Sequence, residues 1–283
     1  MLSYRHAFHA GNFADVLKHL IQVEILQYLQ QKEKPFVYID THSGAGLYSL
    51  QSAEAEKNAE FETGIGRLQN CDWPELQSYL NAVASSRPDH DQSGLAASQL
   101  YPGSPRLGQL FLREQDRAQL FELHPQDFRL LDELMATDRR LRVEQSDGFK
   151  GLIAALPPRE RRGLVLIDPP YEIKSDYELV VDTLIKAHRR FATGIYALWY
   201  PVVERSRINK LEQQLKASGI ARIQLFELGL SADTEGRGMT SSGMIVINPP
   251  WTLKDKMQNL LPRLSQHLAG EQGVWRCEEL AGE

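Results

Sequence analysis

From residue 105 onward, helix-like and strand-like segments follow one another along most of the chain. Short apolar runs such as "GLVLID" and "GIYALWY" have the length of buried strands, and the segments between them carry apolar residues at helical spacing. With "FVYID" at 36–40, seven such strands are present. Strands alternating with helices form a parallel sheet covered on both faces. The pattern predicts a doubly wound α/β fold, closed by a helix that Pro262 interrupts.

One connection breaks this alternation. Residues 229–242, "GLSADTEGRGMTSS", are rich in glycine and show no helical pattern. Parallel neighbours need a helical crossover, whereas a plain loop joins antiparallel strands. We therefore expect six parallel strands and an antiparallel last strand, "GMIVIN".

A second irregularity lies between the first strand and the next helix. Residues 47–103 are too long for one crossover, and they contain a helical stretch around "CDWPELQSYLNAVAS". We predict that residues 1–46 and 104–283 form one Rossmann-like domain, and that residues 47–103 are an inserted helical subdomain.

Composition bounds the class of protein. Of the 283 residues, 42% are apolar and 24% are charged, as in ordinary globular proteins, and no apolar run approaches the roughly 18 residues of a membrane span. The first residues, "MLSYRHAFHAGN", place histidines where a signal peptide needs an apolar core. Cys71 and Cys277 are far apart and lack metal-ligand spacing. We expect a cytoplasmic protein without a metal or a membrane partner.

The net charge of −5 argues against a polycationic coat for nucleic acid, although basic clusters occur. They are solvated surface charge or a local grip on phosphates, and the sequence leaves both open. The clusters are "RRLR" at 139–142, "RERR" at 159–162, "HRR" at 188–190 and "ERSR" at 204–207.

A glycine-containing loop, "DTHSGAG" at 40–46, follows the first strand. Gly44 and Gly46 allow a tight turn and a close approach of a ligand to the backbone. Glu122 ends the second strand, where an acid can accept hydrogen bonds from both hydroxyls of a cofactor ribose. The usual interval between such features is about 20 residues. Here it is nearly eighty, which the insertion accounts for.

Two further loops follow strands or begin helices. Asp147, in "SDGF", could accept from the amino group of a bound adenine, or it could simply cap the next helix. Ser104 and Pro105, in "YPGSP", suit a helix start, and a helix N-terminus facing the glycine loop would suit a carboxylate.

The most specific motif is "DPPY" at 168–171, at the end of the fourth strand. An ionised aspartate accepts hydrogen bonds only, and the prolines fix an extended turn with a free carbonyl. Two such acceptors can hold both hydrogens of a planar NH₂ group and direct its lone pair at an electrophile. Tyr171 offers a stacking face for an extruded base. With the preceding loops, this motif favours an S-adenosylmethionine site over a dinucleotide site.

A near copy, "NPPW" at 248–251, ends the last strand. Because that strand should run antiparallel, we expect Asn248 and Trp251 to emerge at the opposite edge of the sheet. This copy then serves only to end the strand.

On these motifs the chain resembles class I Rossmann-like amino-methyltransferases and, more closely, the RlmJ family. The resemblance rests on "MLSYRHAFHAGNFADVLKH", "YPGSP", "DPPY" and "GMTSSGM". It implies transfer of a methyl group from S-adenosyl-L-methionine to N6 of an adenosine in 23S rRNA, either naked or in an early assembly intermediate.

The resemblance also implies roles for particular residues. Asp168 is the catalytic acceptor, with Pro169 and Tyr171 in the same motif, and Tyr4 and His6 close over the cofactor and the target base. Lys18 and His19 contact the methionine end of the cofactor. Asp168 also belongs to the cofactor positions, and the remaining ones are His42 and Gly44 in the glycine loop, Ser104, Glu122 at the ribose, and Asp147 and Gly148 at the adenine.

Three other readings are compatible with parts of the pattern. A DNA adenine-N6 methyltransferase uses the same amine chemistry, but it usually carries a larger recognition domain. Enzymes that methylate an amide have asparagine where this chain has Asp168. A non-catalytic RNA-binding scaffold could retain the cofactor pocket, although Asp168 and Tyr171 argue against it.

Overall fold

The computed structural model describes residues 5–86, 99–172, 175–234 and 238–283. Within them, one sheet has eight strands in the order β10-β8-β9-β7-β6-β1-β4-β5, and a separate pair joins β2 to β3. The strands are β1 Val37–Asp40, β2 Leu47–Ser49, β3 Leu100–Pro102, β4 Arg117–Glu122, β5 Leu141–Gln145, β6 Gly163–Ile167, β7 Ile195–Val202, β8 Ile223–Gly229, β9 Ser241–Ile247 and β10 Val274–Ala281.

Helices connect most of the strands. They are α1 Phe13–Gln30, α2 Ala53–Asn58, α3 Ile65–Leu68, α4 Pro74–Ala84, α5 Ser104–Leu110, α6 Pro125–Met135, α7 Gly148–Ala155, α8 Asp176–Arg190, α9 Arg205–Lys216 and α10 Leu253–Ala269. Short 3-10 helices cover His6–Phe8, Glu60–Thr63 and Gly270–Gln272. No helix of the described residues is both long and apolar enough to cross a bilayer.

The predicted α/β class and the strand directions are confirmed. β1 pairs in parallel with β4 and β6, and β6 pairs in parallel with β7. β9 runs antiparallel to both β7 and β8, and among the described residues between β8 and β9 there is no helix. The strand that ends in "DPPY" therefore lies beside the first strand, as predicted.

The strand count was wrong by one. Residues Val274–Ala281 form β10, an edge strand antiparallel to β8. Its sequence, "VWRCEELA", contains three charged residues and does not alternate apolar and polar residues, and only one of its side chains is buried, so apolar alternation does not reveal it. The predicted interruption at Pro262 was also wrong, because α10 continues through that residue.

Two apolar layers sandwich the sheet. Alternate residues of a strand point to opposite faces, and β6 shows this clearly. Leu164 and Leu166 join the layer that contains α1 and α10, whereas Val165 and Ile167 join the layer of α8 and α9. Helix α1 is buried along most of its length, and Asn12 caps it by accepting from the N–H groups of Ala14 and Asp15.

The segment between the first strand and α5 is held at its base. β2 and β3 pair antiparallel, and the Gly103 N–H donates to the Gly46 carbonyl at 2.9 Å. Between them lie α2, α3 and α4, and the buried Leu76 and Tyr79 of α4 belong to the same apolar layer as α1.

The two double-proline motifs lie at opposite edges of the sheet. Asn248 follows β9, and its side-chain amide donates to the carbonyls of Ala192 and Gly194, just before β7 begins. Trp251 is 78% exposed. The expectation that "NPPW" emerges away from the "DPPY" edge is confirmed.

Asn248 should matter for stability alone. Its backbone has φ 54°, and its amide satisfies two carbonyls. We expect Asn248→Gly to lower the free energy of unfolding by about 1–3 kcal/mol through the lost donors. Asn248→Ala should lose about 1 kcal/mol more, because alanine is strained at positive φ. Urea unfolding measures both, and an alanine variant as stable as the wild type would contradict this assignment.

Candidate active site

The glycine loop turns sharply at the carboxyl end of β1. Gly44 and Gly46 have φ of 59° and 81°, which favours glycine at both positions. A Cβ atom on Gly44 would lie 2.2 Å from the Tyr48 hydroxyl. The Gly44 N–H donates to Oε2 of Glu122 at 2.7 Å, so the loop is tied to the end of β4.

A cavity of about 380 Å³ opens above the carboxyl ends of β1, β4, β5 and β6. Most of the residues predicted for the cofactor and the reaction line it. These are His6, Lys18, His42, Gly44, Ser104, Glu122, Asp147, Gly148, Asp168 and Pro169. We call it the first cavity.

Acidic side chains in and beneath the first cavity are held by N–H and O–H donors. Glu122 also accepts from the His124 N–H at 2.7 Å, and burial raises the pKa of its carboxyl. Beneath the loop, the fully buried Asp40 accepts from the hydroxyls of Tyr38 and Ser104, each at 2.6 Å. Burial likewise raises the pKa of Asp40 despite these donors.

Two further positions at the first cavity have local structural partners. Oδ1 of Asp147 accepts from the N–H groups of Phe149 and Lys150, so Asp147 does cap α7. His42 Nδ1 lies 2.8 Å from the Thr41 hydroxyl, and burial lowers the pKa of His42 to about 4. The imidazole is therefore neutral at physiological pH.

A second cavity of about 440 Å³ lies on the other side of Asp168. Tyr171, Tyr177 and Trp199 give it an aromatic wall. Tyr171 has φ 50°, and its hydroxyl donates to the Trp199 carbonyl at 2.8 Å, which fixes the ring. His6, Lys18 and Asp168 line both cavities, so Asp168 stands at their boundary.

A chain of buried charges leads to Asp168. Lys18 Nζ lies 2.6 Å from Oδ2 of Asp168 and 2.8 Å from Oδ1 of Asp15. Burial alone would lower the pKa of Lys18, but the two carboxylates outweigh burial and raise it. Oδ2 of Asp15 lies 2.9 Å from His6 Nε2 and accepts from the Gly11 N–H.

The pKa of Asp15 shows how neighbouring positive charges offset burial in this ion chain. Burial opposes ionisation, but the positive fields of His6 and Lys18 outweigh it and hold the pKa of the Asp15 carboxyl well below its usual range. The carboxylate is therefore ionised in a nearly solvent-free position.

The structure does not bring His19 to either cavity. Its side chain is fully buried, and Nδ1 lies 2.7 Å from the Tyr101 hydroxyl, so no surface remains for a cofactor. Lys18 and His19 are adjacent on α1 and therefore point in directions about 100° apart. Tyr4 lies outside the described residues.

Sequence reasoning missed Asp15, Asp40 and Trp199 as parts of the site. Asp15 precedes Lys18 by three residues, a spacing that allows contact on a helix, and this was the available signal. Asp40 ends a strand just before the glycine loop. Trp199 lies on β7, beside the strand that leads to Asp168, and nothing local distinguishes it from a core residue. No group of metal-ligating side chains was found among the described residues.

Comparison with known proteins identifies the family. Residues 33–281 match the family model described as "Ribosomal RNA large subunit methyltransferase D, RlmJ". The chain belongs to the RlmJ family. Two curated relatives cover almost all of it, and both are named "Ribosomal RNA large subunit methyltransferase J". The one from Escherichia coli K12 is 53% identical over 95% of this chain and 94% of its own, and the one from Haemophilus influenzae Rd is 48% identical over 100% of both.

Solved structures agree with the fold. A crystal structure of a Legionella pneumophila protein has a TM-score of 0.86 at 33% identity, covering 96% of this chain and 98% of its own. A probable spermidine synthase from Corynebacterium glutamicum has a TM-score of 0.51 at 11% identity, covering 96% and 77%. This second likeness concerns the fold alone.

The buried ion chain predicts non-additive stability. Asp15→Asn leaves the Lys18 ammonium with one carboxylate, and we expect a loss of about 3–5 kcal/mol in the free energy of unfolding. The double variant Asp15→Asn/Lys18→Met removes both charges and should lose less than the sum of the two single changes. Urea unfolding of all four proteins gives the cycle, and strictly additive losses would contradict the ion chain.

His19 should make stability depend on pH. Burial lowers its pKa in the folded protein to about 3, below the ordinary value of 6.5. Below pH 6.5 the unfolded chain binds a proton at this histidine and the folded protein does not. The free energy of unfolding should therefore fall as the pH is lowered below 6.5, by up to about 1.4 kcal/mol per pH unit. In His19→Asn this part of the slope should disappear. Urea unfolding at pH 7, 6 and 5 checks it, and equal slopes in both proteins would refute it.

Proposed function

We propose that this protein transfers a methyl group from S-adenosyl-L-methionine to the exocyclic N6 of an adenosine in 23S rRNA. The observation that carries the proposal is the place of Asp168 between a cavity with cofactor-type donors and acceptors and a cavity with an aromatic wall. The names of the two bacterial relatives support large-subunit ribosomal RNA as the substrate.

The residues around the first cavity fit S-adenosylmethionine. Each oxygen of Glu122 accepts one N–H and keeps a lone pair, so the carboxylate can still accept from two ribose hydroxyls. A Cβ atom on Gly148 would lie 1.7 Å from the Thr41 carbonyl, so only glycine lets the start of α7 approach the loop this closely. Asp147, beside it, would accept from the adenine amine.

The methionine end needs a cation and donors. Among the described residues that line the first cavity, Lys18 is the one lysine or arginine, and α5 begins at Ser104 on the same wall. Because the Ser104 hydroxyl already donates to Asp40, its contribution would come through the backbone at the helix start. When bound, S-adenosylmethionine supplies an electrophilic methyl group.

Asp168 and the Pro169 carbonyl would accept the two hydrogens of the target amine. Oδ2 of Asp168 faces Lys18, which leaves Oδ1 and the carbonyl for this purpose. Holding both hydrogens turns the nitrogen lone pair out of conjugation with the ring. As the bond between the nitrogen and the methyl carbon forms, the bond between that carbon and sulfur would break and leave its electron pair on sulfur. The positively charged nitrogen would then give one of its hydrogens as a proton to the Asp168 carboxylate.

The second cavity would receive the base. Tyr171, Tyr177 and Trp199 offer faces for stacking, and its volume lies within the range of small-molecule sites. An adenosine paired in a helix must first be extruded, which costs least in single-stranded or loop RNA. We therefore favour naked rRNA or an early assembly intermediate as the substrate. Residues 1–46 and 104–283 would supply this chemistry, with 47–103 as the inserted subdomain.

The substrate assignment has a direct test. Tritium from labelled S-adenosylmethionine should pass to 23S rRNA transcribed in vitro, and digestion to nucleosides should place the label in N6-methyladenosine. Duplex DNA of matched length is the control for the alternative that the protein is a DNA adenine-N6 methyltransferase. Label in DNA, in protein or in another nucleoside would overturn the proposal.

Removing the acceptor should stop transfer without removing the cofactor. We expect Asp168→Ala to lower kcat by at least about 10²-fold, because the amine loses its orienting acceptor. S-adenosylmethionine binding by calorimetry should change much less, because Glu122 and the loop remain. Asn248→Gly, which changes the other double-proline motif, is the matched control and should transfer normally. Near wild-type transfer by Asp168→Ala would show that the role is misassigned.

A further inference from the structure

The two edges of the main sheet carry opposite charge. Each of four adjacent parallel strands begins at, or within three residues after, a basic residue and ends at, or within two residues before, an acidic residue. In sheet order the pairs are Arg140 and Asp147 for β5, Arg117 and Glu122 for β4, Lys34 and Asp40 for β1, and Arg162 and Asp168 for β6. The acidic ends surround the candidate active site, and the basic ends form what we call the amino edge.

Backbone hydrogen bonds place the amino edge in register. The Ala118 N–H donates to the Arg140 carbonyl, the Arg117 N–H to the Phe36 carbonyl, and the Val37 N–H to the Arg162 carbonyl. Adjacent strands lie about 4.8 Å apart, so the row from β5 to β6 extends over roughly 14 Å. The basic clusters before β5, β6 and β7 therefore meet on one side of the molecule.

Some arginines at this edge are structural. Arg113, Arg140 and Arg162 donate to main-chain carbonyls near the ends of α1 and α5, including those of Lys34 and Leu112. These side chains hold the helix ends against the sheet and are not available to a partner.

Other arginines at the edge are free. Arg139, Arg159, Arg161 and Arg189 are exposed, and their side chains have no hydrogen bond or ion pair within the described part of the chain. Arg161 has φ 53°, a costly conformation for a side chain of this size, in a turn closed by its N–H on the Pro158 carbonyl. The Thr193 hydroxyl contacts the Arg161 carbonyl, which ties the turn to the segment before β7.

The two cavities, in contrast, offer a polyanion no unpaired lysine or arginine among their described lining residues. Lys18 and Arg207 line the two cavities, and each is already paired with a carboxylate, Lys18 with Asp168 and Arg207 with Glu204. Binding of RNA depends largely on neutralising phosphates with lysine and arginine. Guanidinium groups match phosphate oxygens in a two-pronged geometry, so unpaired arginines are well suited to this task.

We propose that the amino edge is a second RNA-binding surface, which contacts the phosphate backbone of the substrate RNA away from the target adenosine. The proposal rests on the proposed rRNA substrate. β4 has six residues at about 3.3 Å each, so the two edges lie roughly 20 Å apart. A large folded RNA can reach both edges at once, whereas a short oligonucleotide in the active site cannot.

The test compares two triple variants of equal charge. Arg139→Gln/Arg159→Gln/Arg189→Gln changes the amino edge, and Arg129→Gln/Lys210→Gln/Lys216→Gln changes exposed cations on α6 and α9. Arg161 is kept because its backbone is strained. Each variant loses three positive charges, so the net charge falls from −5 to −8 in both, and general electrostatics are matched. Thermal midpoints check that both are folded.

Two RNA probes separate the two edges. One is full-length 23S rRNA transcribed in vitro, and the other is an oligonucleotide of about five nucleotides centred on the methylated adenosine, which at roughly 3.4 Å per stacked nucleotide extends only about 7 Å to either side. In the amino-edge variant we expect KM for the full-length RNA to rise about tenfold or more, with kcat and oligonucleotide transfer unchanged. The slope of log binding constant against log salt should become shallower by about 2–3, for three lost phosphate contacts.

Equal KM values and salt slopes in the two triple variants would overturn the proposal and leave the amino edge as a solvated surface. An equal loss with the short oligonucleotide would also overturn it, because that RNA cannot reach the edge. Filter binding of the full-length RNA without cofactor gives the same comparison independently of catalysis. If the wild type binds rRNA but transfers no methyl group, the proposed function fails, and the binding comparison still decides the surface.

Discussion

The ion chain from Asp15 through Lys18 to Asp168 is the interaction on which the site depends. Lys18 is 4% exposed, and an ammonium in such a position costs several kcal/mol to desolvate. Two carboxylates offset that cost, one from the same helix and one from the end of β6. The ion chain thereby fixes α1, which lies at the centre of one apolar layer, against β6, the strand that leads to Asp168.

The ion chain also sets the charge available at Asp168. If Lys18 had only Asp168 as its partner, that carboxylate would be largely neutralised and would accept hydrogen bonds from an amine less well. Asp15 shares the ammonium, so the charge of Lys18 is divided between two carboxylates and does not act on Asp168 alone. The ionised Asp15, which lines the second cavity, thus acts on Asp168 through Lys18.

Local sequence signals captured the parts of the fold that local physics determines. "DPPY" and "NPPW" are nearly identical as strings, and strand direction separated them, because a glycine-rich loop without a helix implies an antiparallel strand. The strand β10 was not predicted, because an exposed edge strand needs no apolar alternation. The interruption predicted at Pro262 was wrong because α10 tolerates the missing N–H of the proline, which no local rule can foresee.

The site was predictable where residues follow strand ends and less so where they lie on helices. Gly44, Glu122, Asp147 and Asp168 all come within two residues of the end of a strand or in the loop after it, and the sheet must bring such positions to one edge. The predicted cofactor contact of His19 is absent because a shift of one residue along a helix turns the side chain in another direction. Asp15 was missed because its importance arises from its contact with His6 and from its link through Lys18 to Asp168, which only the tertiary structure brings together.

The segment inserted after the first strand and the segment before α1 form one physical unit beside the second cavity. Glu60 accepts from the Asn12 amide and contacts His9 Nδ1, which raises the pKa of His9. The Ile65 N–H donates to the Gly11 carbonyl, and a Cβ atom on Gly64 would lie 2.2 Å from that same oxygen. His9 and Asn12 line the second cavity. The insertion therefore shapes the cavity wall without lining it, because it fixes the backbone that carries those residues, and through Gly11 and Asp15 the same backbone is joined to the ion chain at Asp168.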